Sequence, residues 1–99
     1  MSKINKDVAE VPGTDTDVYW TESKNALVEL IYALYCSESV SNGRVGIRKI
    51  SETLQVLFRI KLGDIHHAFH RMKDRTGSRT IFLDQLKNAV ETYMDKDLF

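Results

Sequence analysis

Hydrophobic residues recur at helical spacing in four stretches of this 99-residue chain. In the first stretch they lie three or four positions apart, which is the period of one helix face: Leu27, Leu30, Ile31 and Leu34. Further apolar residues place hydrophobic surface on more than one side of this helix, a pattern typical of a central core element. We expect Thr21 to cap its N-terminus and the helix to end near Cys36.

The second and third stretches follow a predicted loop over residues 37–46. The apolar stripe of the second helix is predicted to consist of Ile47, Ile50, Leu54, Leu57 and Phe58. Gly63 suits a tight turn after this helix, and Asp64 is placed to cap the next one. The third stripe consists of Ile65, Ala68, Phe69 and Met72. Two helices joined by a short turn have the layout of a helix-turn-helix.

The fourth stretch follows a short loop over residues 75–79, with Thr80 as the expected cap. Its inward-facing residues are expected to be Phe82, Leu83, Leu86, Val90, Tyr93 and Met94. Residues 1–17 contain the only proline and no apolar period, which predicts a flexible, disordered N-terminal tail. The pattern therefore predicts an all-α, four-helix domain over residues 18–99.

The zero net charge conceals a basic middle segment. Residues 44–80 contain nine Arg and Lys residues against three acidic residues, and they include all six arginines. The segments on either side are each net negative. A localised basic face favours an anionic partner, although from charge alone a solvated charged face is an equal alternative.

The third predicted helix concentrates candidate chemistry on the face opposite its apolar stripe. A helix held on one side and basic on the other can enter the DNA major groove, where arginine pairs with guanine and lysine or histidine meets phosphates or base edges. Basic residues before and after this helix are candidate phosphate contacts. The expected nucleic-acid-binding residues are Arg48, Lys49, His66, His67, His70, Arg71, Lys73, Arg75 and Arg79.

Other chemistry finds little support in the sequence. His66 and His70 have the spacing of a zinc-binding pair, but no third ligand is evident and the glutamate of a catalytic motif is missing. Cys36 is expected to pack as a small hydrophobic residue. With no catalytic constellation or phosphate-binding loop, we expect no enzyme activity, cofactor, metal or small-molecule substrate.

The chain lacks an apolar run long enough to cross a membrane and has no apolar signal segment at its start. Its single cysteine cannot form an internal disulfide. We therefore expect a cytoplasmic protein in a reducing compartment, without membrane contact.

Three motifs resemble the RteC family. Residues 20–34, W-T-E-S-K-N-A-L-V-E-L-I-Y-A-L, are similar to its W-T-x-S-K-x-x-L-x-E-L-I-Y-A-L segment. Leu62-Gly63-Asp64 with Phe69 fits a later part, and residues 79–86, R-T-I-F-L-D-Q-L, resemble its R-T-x-F-L-D-x-L. The resemblance extends over about residues 19–95.

The resemblance implies a bacterial transcriptional regulator linked to conjugative transposons, with a helical, winged-helix-like DNA-binding unit. It also implies that residues 64–73 match the recognition helix of the family. The expected partner is double-stranded DNA, and a homodimer would supply the symmetry that specific recognition by a small module usually needs. Two alternatives remain open: a protein-interaction module that modulates a larger regulator, and binding of structured RNA.

Overall fold

A computed structural model of the protein describes residues 17–96, which form four α-helices and a 3₁₀ turn. The helices are α1 (Lys24–Cys36), α2 (Ile47–Phe58), α3 (Ile65–Lys73) and α4 (Ile81–Asp95), and the turn is Ser41–Gly43. No strand occurs within residues 17–96, which confirms the all-α class and leaves the winged-helix-like part of the expectation unconfirmed. The predicted tail, apart from Asp17, lies outside the described residues, as do residues 97–99.

Helix α1 is the central element, because each of the other three helices packs against it. Three of its side chains are fully buried: Leu27, Val28 and Ile31. They form one core with Ile50 of α2 and with the α3 residues Ile65, Ala68 and Met72. The prediction that the first apolar stretch forms the central helix is confirmed.

The start of α1 corrects the predicted cap. Ser23, not Thr21, is the N-cap residue, and its Oγ accepts a hydrogen bond from the backbone N–H of Ala26 at 3.1 Å. Both residue types cap helices well. The choice between them is therefore made by contacts distant in sequence.

Trp20 supplies those contacts. Its backbone N–H donates to the carbonyl of Phe58 at 3.0 Å, and its indole Nε1 donates to the carbonyl of Ser23 at 2.8 Å. Its ring packs against Phe58 and Phe82, with centroid separations of 5.1 and 5.6 Å. Trp20 thus joins the entry to α1 with the end of α2 and the start of α4.

The turn between α2 and α3 is fixed by its own polar contacts. Arg59 ends α2 in the left-handed conformation, with φ 57° and ψ 46°. Gln55 Oε1 accepts a hydrogen bond from the backbone N–H of Leu62 at 2.9 Å, so an α2 side chain holds the turn. Gly63 has φ 74°, a value that favours glycine. These contacts set the direction in which α3 leaves α2.

Helix α4 corrects the predicted interior. Only its first turn packs into the domain, with Phe82 buried and Leu83 half-buried. The other four residues expected to face inward are exposed: Leu86, Val90, Tyr93 and Met94. Because α4 is about 22 Å long and packs chiefly on α1, most of its length extends past the core.

Two smaller expectations also fail. Leu57, predicted on the buried stripe of α2, is 51% exposed, and Cys36, expected to pack, is exposed at the end of α1. Both residues lie in the last turn of their helices, and in α2 the side chain that packs against the core there is Phe58. No helix within residues 17–96 has the length and hydrophobicity to cross a membrane.

Replacing Ile31 with alanine should destabilise the domain by about 2–5 kcal/mol, because it removes a fully buried side chain from the centre of the core. Urea unfolding followed by circular dichroism measures the change. Val56→Ala is the control, since Val56 is 80% exposed on α2, and it should change stability by less than about 0.5 kcal/mol. Equal effects of the two substitutions would contradict the central position of α1.

Candidate nucleic-acid interface

Both ends of helix α3 carry side chains whose charge compensates the partial charge of that helix end. Asp64 is its N-cap, as predicted, and Asp64 Oδ1 accepts a hydrogen bond from the backbone N–H of His67 at 3.0 Å. This bond stabilises the carboxylate and holds the pKa of Asp64 below its usual value. The last turn carries His70, Arg71 and Lys73, which oppose the partial negative charge at the helix C-terminus.

The outward face of α3 is basic across its width. Ile65, Ala68 and Met72 are buried, so the helical period turns His66, His67 and His70 toward solvent. Arg71 and Lys73 are exposed on opposite edges of this face. The five residues predicted for the third helix therefore share one exposed surface, which we call the α3 outward face.

Tyr32 of α1 orients one residue of the α3 outward face. Its Oη lies 2.6 Å from Nδ1 of His66, and its ring stacks on Phe69 with centroids 3.9 Å apart. Desolvation raises the pKa of Tyr32. Which of the two groups donates in this bond depends on the tautomer of His66. The bond uses Nδ1 and leaves Nε2 of His66 for a second partner. Sequence periodicity does not reveal this pair, whose members are 34 residues apart.

The two basic residues at the start of α2 lie in different places. Arg48 lines a shallow groove between α2 and the start of α3, together with Gly63 and His66. Lys49 lines a different groove, with Leu34 and Val40. Arg48 therefore adjoins the α3 outward face, whereas Lys49 lies on another side of α2.

A further groove lies beside α3. It has a volume of roughly 290 Å³ and lies between α1, α3 and the start of α4. Tyr32, Phe69 and Leu83 contribute to its apolar lining, and Lys73 and Arg79 add positive charge. We call it the α1–α3–α4 groove. Arg79 lies in the surroundings of α3 through its position beside this groove.

Arg75 has a structural partner. Its Nη1 lies 3.0 Å from Oε1 of Glu29, which is buried in α1, and it also donates to the backbone carbonyl of Arg79 at 3.0 Å. The second carboxylate oxygen of Glu29 accepts a hydrogen bond from the backbone N–H of Leu83 at 2.8 Å. Arg75 therefore anchors the loop between α3 and α4, and its guanidinium is not presented to solvent like the other candidates.

Sequence reasoning missed Glu29. The available signal was its position between Val28 and Leu30 in a helix that is apolar on several sides. An acid there must either interrupt the buried surface or find a partner within it.

The remaining cations stay without acidic partners in the part of the chain that is described. The ion pairs within residues 17–96 are Arg59–Asp17, Arg75–Glu29 and Lys87–Glu91. None of them involves Arg48, Arg71, Lys73 or Arg79. The same residues contain no cluster of three His, Cys, Asp or Glu side chains suited to a metal ion. Positive charge around α3 is therefore available to an anionic partner.

Replacing Glu29 with alanine should cost about 3 kcal/mol of stability, because it leaves the guanidinium of Arg75 and the N–H of Leu83 without their acceptor. Urea unfolding measures the loss. Glu91→Ala is the matched control in another helix, since it breaks the exposed Lys87–Glu91 pair and should cost less than about 0.5 kcal/mol. Similar costs for both substitutions would exclude an anchoring role for Glu29.

Replacing Asp64 with asparagine should weaken the acid dependence of stability. A carboxyl whose pKa is lowered by folding stabilises the protein above its unfolded-state pKa, and this contribution is lost as the pH falls through the folded-state value. Asparagine keeps an oxygen for the N–H of His67 but does not titrate. Thermal unfolding should show the wild type as more stable than the variant at about pH 7, and this stability difference should shrink at about pH 3. A stability difference that is the same at both pH values would contradict the lowered pKa of Asp64.

The comparison with protein families agrees with the sequence motifs. Residues 1–97 match the family described as RteC protein, which covers nearly the whole chain. No curated protein and no solved structure shows significant similarity. A match of this extent, together with the three motifs now placed on α1, α3 and α4, establishes that the chain belongs to the RteC family.

Proposed function

We propose that this chain is a DNA-binding transcriptional regulator of a bacterial mobile element of the conjugative-transposon type. Membership of the RteC family is consistent with a regulator associated with mobile elements. In the proposed complex α3 lies in the major groove and the flanking basic residues contact phosphates.

The observation that carries this proposal is the α3 outward face. Five basic or histidine residues lie on one exposed surface, and the helix beneath them is fixed on its other side by the core. An α-helix with its side chains is about 10–12 Å across, which fits a major groove about 12 Å wide. A recognition helix needs one side held by the protein and the other side open to DNA, and these two features of α3 favour the proposal.

The positions of the residues suggest different roles for them. His67 and His70 lie near the middle of the α3 outward face and are placed for base edges, as is Nε2 of His66. Arg71 can pair with guanine from one edge. Arg48 and Arg79, in the surroundings of α3, are placed for phosphates. Arg75 is committed to Glu29, and the proposed interface does not use it.

Fluorescence anisotropy with a mixed-sequence DNA duplex tests the proposal. Wild-type protein should bind more weakly at 200 mM than at 50 mM salt, because binding to phosphates releases counterions. The double variant Arg71→Glu, Lys73→Glu should lose most of this affinity. Where residual binding is measurable, its log–log salt slope should be smaller by about 2, because on mixed-sequence DNA both cations contact phosphates and not a specific base.

The control variant is Lys24→Glu, Arg44→Glu, which changes the net charge equally. Lys24 begins α1 and Arg44 follows the 3₁₀ turn, so neither belongs to α3 or to the grooves beside it. This control should retain most of the affinity. No binding by folded wild-type protein at low salt, or equal losses in the two variants, would overturn the proposal. Stronger binding to an RNA duplex of the same sequence would favour the RNA alternative.

A second candidate function is a protein-interaction module that modulates a larger regulator without contacting DNA. The exposed apolar residues of α4 favour it, because apolar surface on a helix is typical of protein interfaces. Absence of DNA binding by the folded wild type would select this candidate over the first.

A further inference from the structure

The α1–α3–α4 groove has the size and lining of a small-molecule site. Its volume of roughly 290 Å³ is close to the lower end of the range of about 300–1,000 Å³ that ligand pockets cover. Its walls are largely apolar and aromatic, and they include Tyr32, Ala33, Phe69, Met72 and Leu83. In such pockets the apolar lining provides contact area and a few polar groups orient the ligand. The positions of the polar groups therefore indicate which class of ligand the groove can bind.

The groove follows one face of α1. Glu29, Ala33 and Cys36 line it, and the helix rises by about 10 Å from the first of them to the last. Helix α4 begins at Glu29, because the backbone N–H of Leu83 donates to Glu29 Oε2 at 2.8 Å. Helix α3 ends at the same place, because Arg75 in the following loop bonds to Glu29 Oε1. The groove therefore has a Glu29 end, where α3 ends and α4 begins, and a Cys36 end.

Positive charge is concentrated at the Glu29 end. Lys73 is the last residue of α3, Arg79 precedes the N-cap of α4, and both line the groove. Both side chains are exposed and form no ion pair within residues 17–96. The carboxylate of Glu29 does not neutralise them, because Arg75 and the N–H of Leu83 occupy its two oxygens. Two cations therefore remain for an anionic ligand.

The other charges near the groove do not compete for this position. Asp74 and Asp84, the acidic residues nearest to the two cations in the sequence, do not line the groove. The oxygens of Asp84 accept from the hydroxyls of Ser78 and Thr80, and its charge offsets the partial positive charge at the start of α4. The C-terminus of α1, with its partial negative charge, lies at the Cys36 end and disfavours an anion there. The groove is thus positive at one end only.

We propose that the α1–α3–α4 groove binds a small aromatic carboxylate, with the carboxylate at the Glu29 end and the ring toward the Cys36 end. Lys73 and Arg79 form charge-assisted hydrogen bonds with the carboxylate, and the apolar walls cover the ring. A neutral aromatic molecule leaves both cations without a partner. A small anion without a ring leaves the apolar walls in contact with water.

Titration of the full chain with 2-naphthoate, followed by the amide NMR spectrum, tests the inference. The dissociation constant should be about 1 mM or lower, as expected for a ligand of this size. The neutral 2-naphthamide has the same shape and should bind at least about tenfold more weakly, as should acetate. Folded wild-type protein that does not bind 2-naphthoate, or that binds either control compound equally well, overturns the inference. The titration contains no DNA, so its result is independent of the proposed function.

The double variant Lys73→Gln, Arg79→Gln tests the two cations. It should raise the dissociation constant for 2-naphthoate by at least about tenfold. The backbone carbonyl of Arg79, which accepts from Arg75, is unaffected by the side-chain change. Lys24→Gln, Arg44→Gln is the matched control, because it removes the same charge outside the groove and should bind like the wild type. With both variants folded by circular dichroism, equal affinities of the two would contradict the proposed role of Lys73 and Arg79.

Cys36 tests the orientation of the ligand, because it is the single cysteine of the chain and is exposed at the other end of the groove. Its thiolate displaces iodide from iodoacetamide to form a thioether, and mass spectrometry follows the reaction. Saturating 2-naphthoate should slow the reaction by at least about threefold, because the ring covers the thiol. Acetate at the same concentration should leave the rate unchanged. An unchanged rate with 2-naphthoate bound would overturn the placement of the ring at the Cys36 end.

Discussion

The buried carboxylate of Glu29 is the constraint on which the arrangement around α3 depends. A charge in the interior is costly unless hydrogen bonds and an opposite charge compensate it. Glu29 obtains both, from the guanidinium of Arg75 beyond the end of α3 and from the backbone N–H of Leu83 in the first turn of α4. One α1 side chain therefore fixes where α3 ends, how the following loop runs and where α4 begins. This polar link also explains how α4 stays attached although most of its apolar surface is outside the core.

The same central helix prepares the surface that we propose for DNA. Core residues of α1 hold α3 from beneath, while Tyr32 reaches around its edge to stack on Phe69 and bond to His66. Recognition by a helix requires that its exposed side chains be held in one geometry, because ordering them on binding costs free energy. Tyr32 reduces this cost for His66, because the hydrogen bond holds the imidazole in one orientation. The role of α1 thus extends from packing to presentation of a candidate contact residue.

The sequence predicted the parts of the fold that local pattern determines. Apolar spacing correctly identified four helices and the buried faces of α1 and α3, and capping chemistry identified Asp64. The failures concern partners distant in the chain. Thr21 and Ser23 are equivalent as caps until Trp20 bonds to Phe58, and Arg75 resembles any loop arginine until Glu29 is placed beside it. For α4, periodicity revealed an apolar face but not which surface covers it.

The cations around α3 that remain open to phosphates are those that the fold has not already paired. Arg75 is committed to the buried Glu29, so its charge is compensated inside the domain. Lys73 and Arg79, at the α1–α3–α4 groove, take part in no ion pair within residues 17–96, and neither do Arg48 and Arg71. Exposed cations bind phosphates in a salt-dependent way, because each contact releases counterions. In the proposed complex the salt dependence of DNA binding consequently reports on these four cations and not on Arg75.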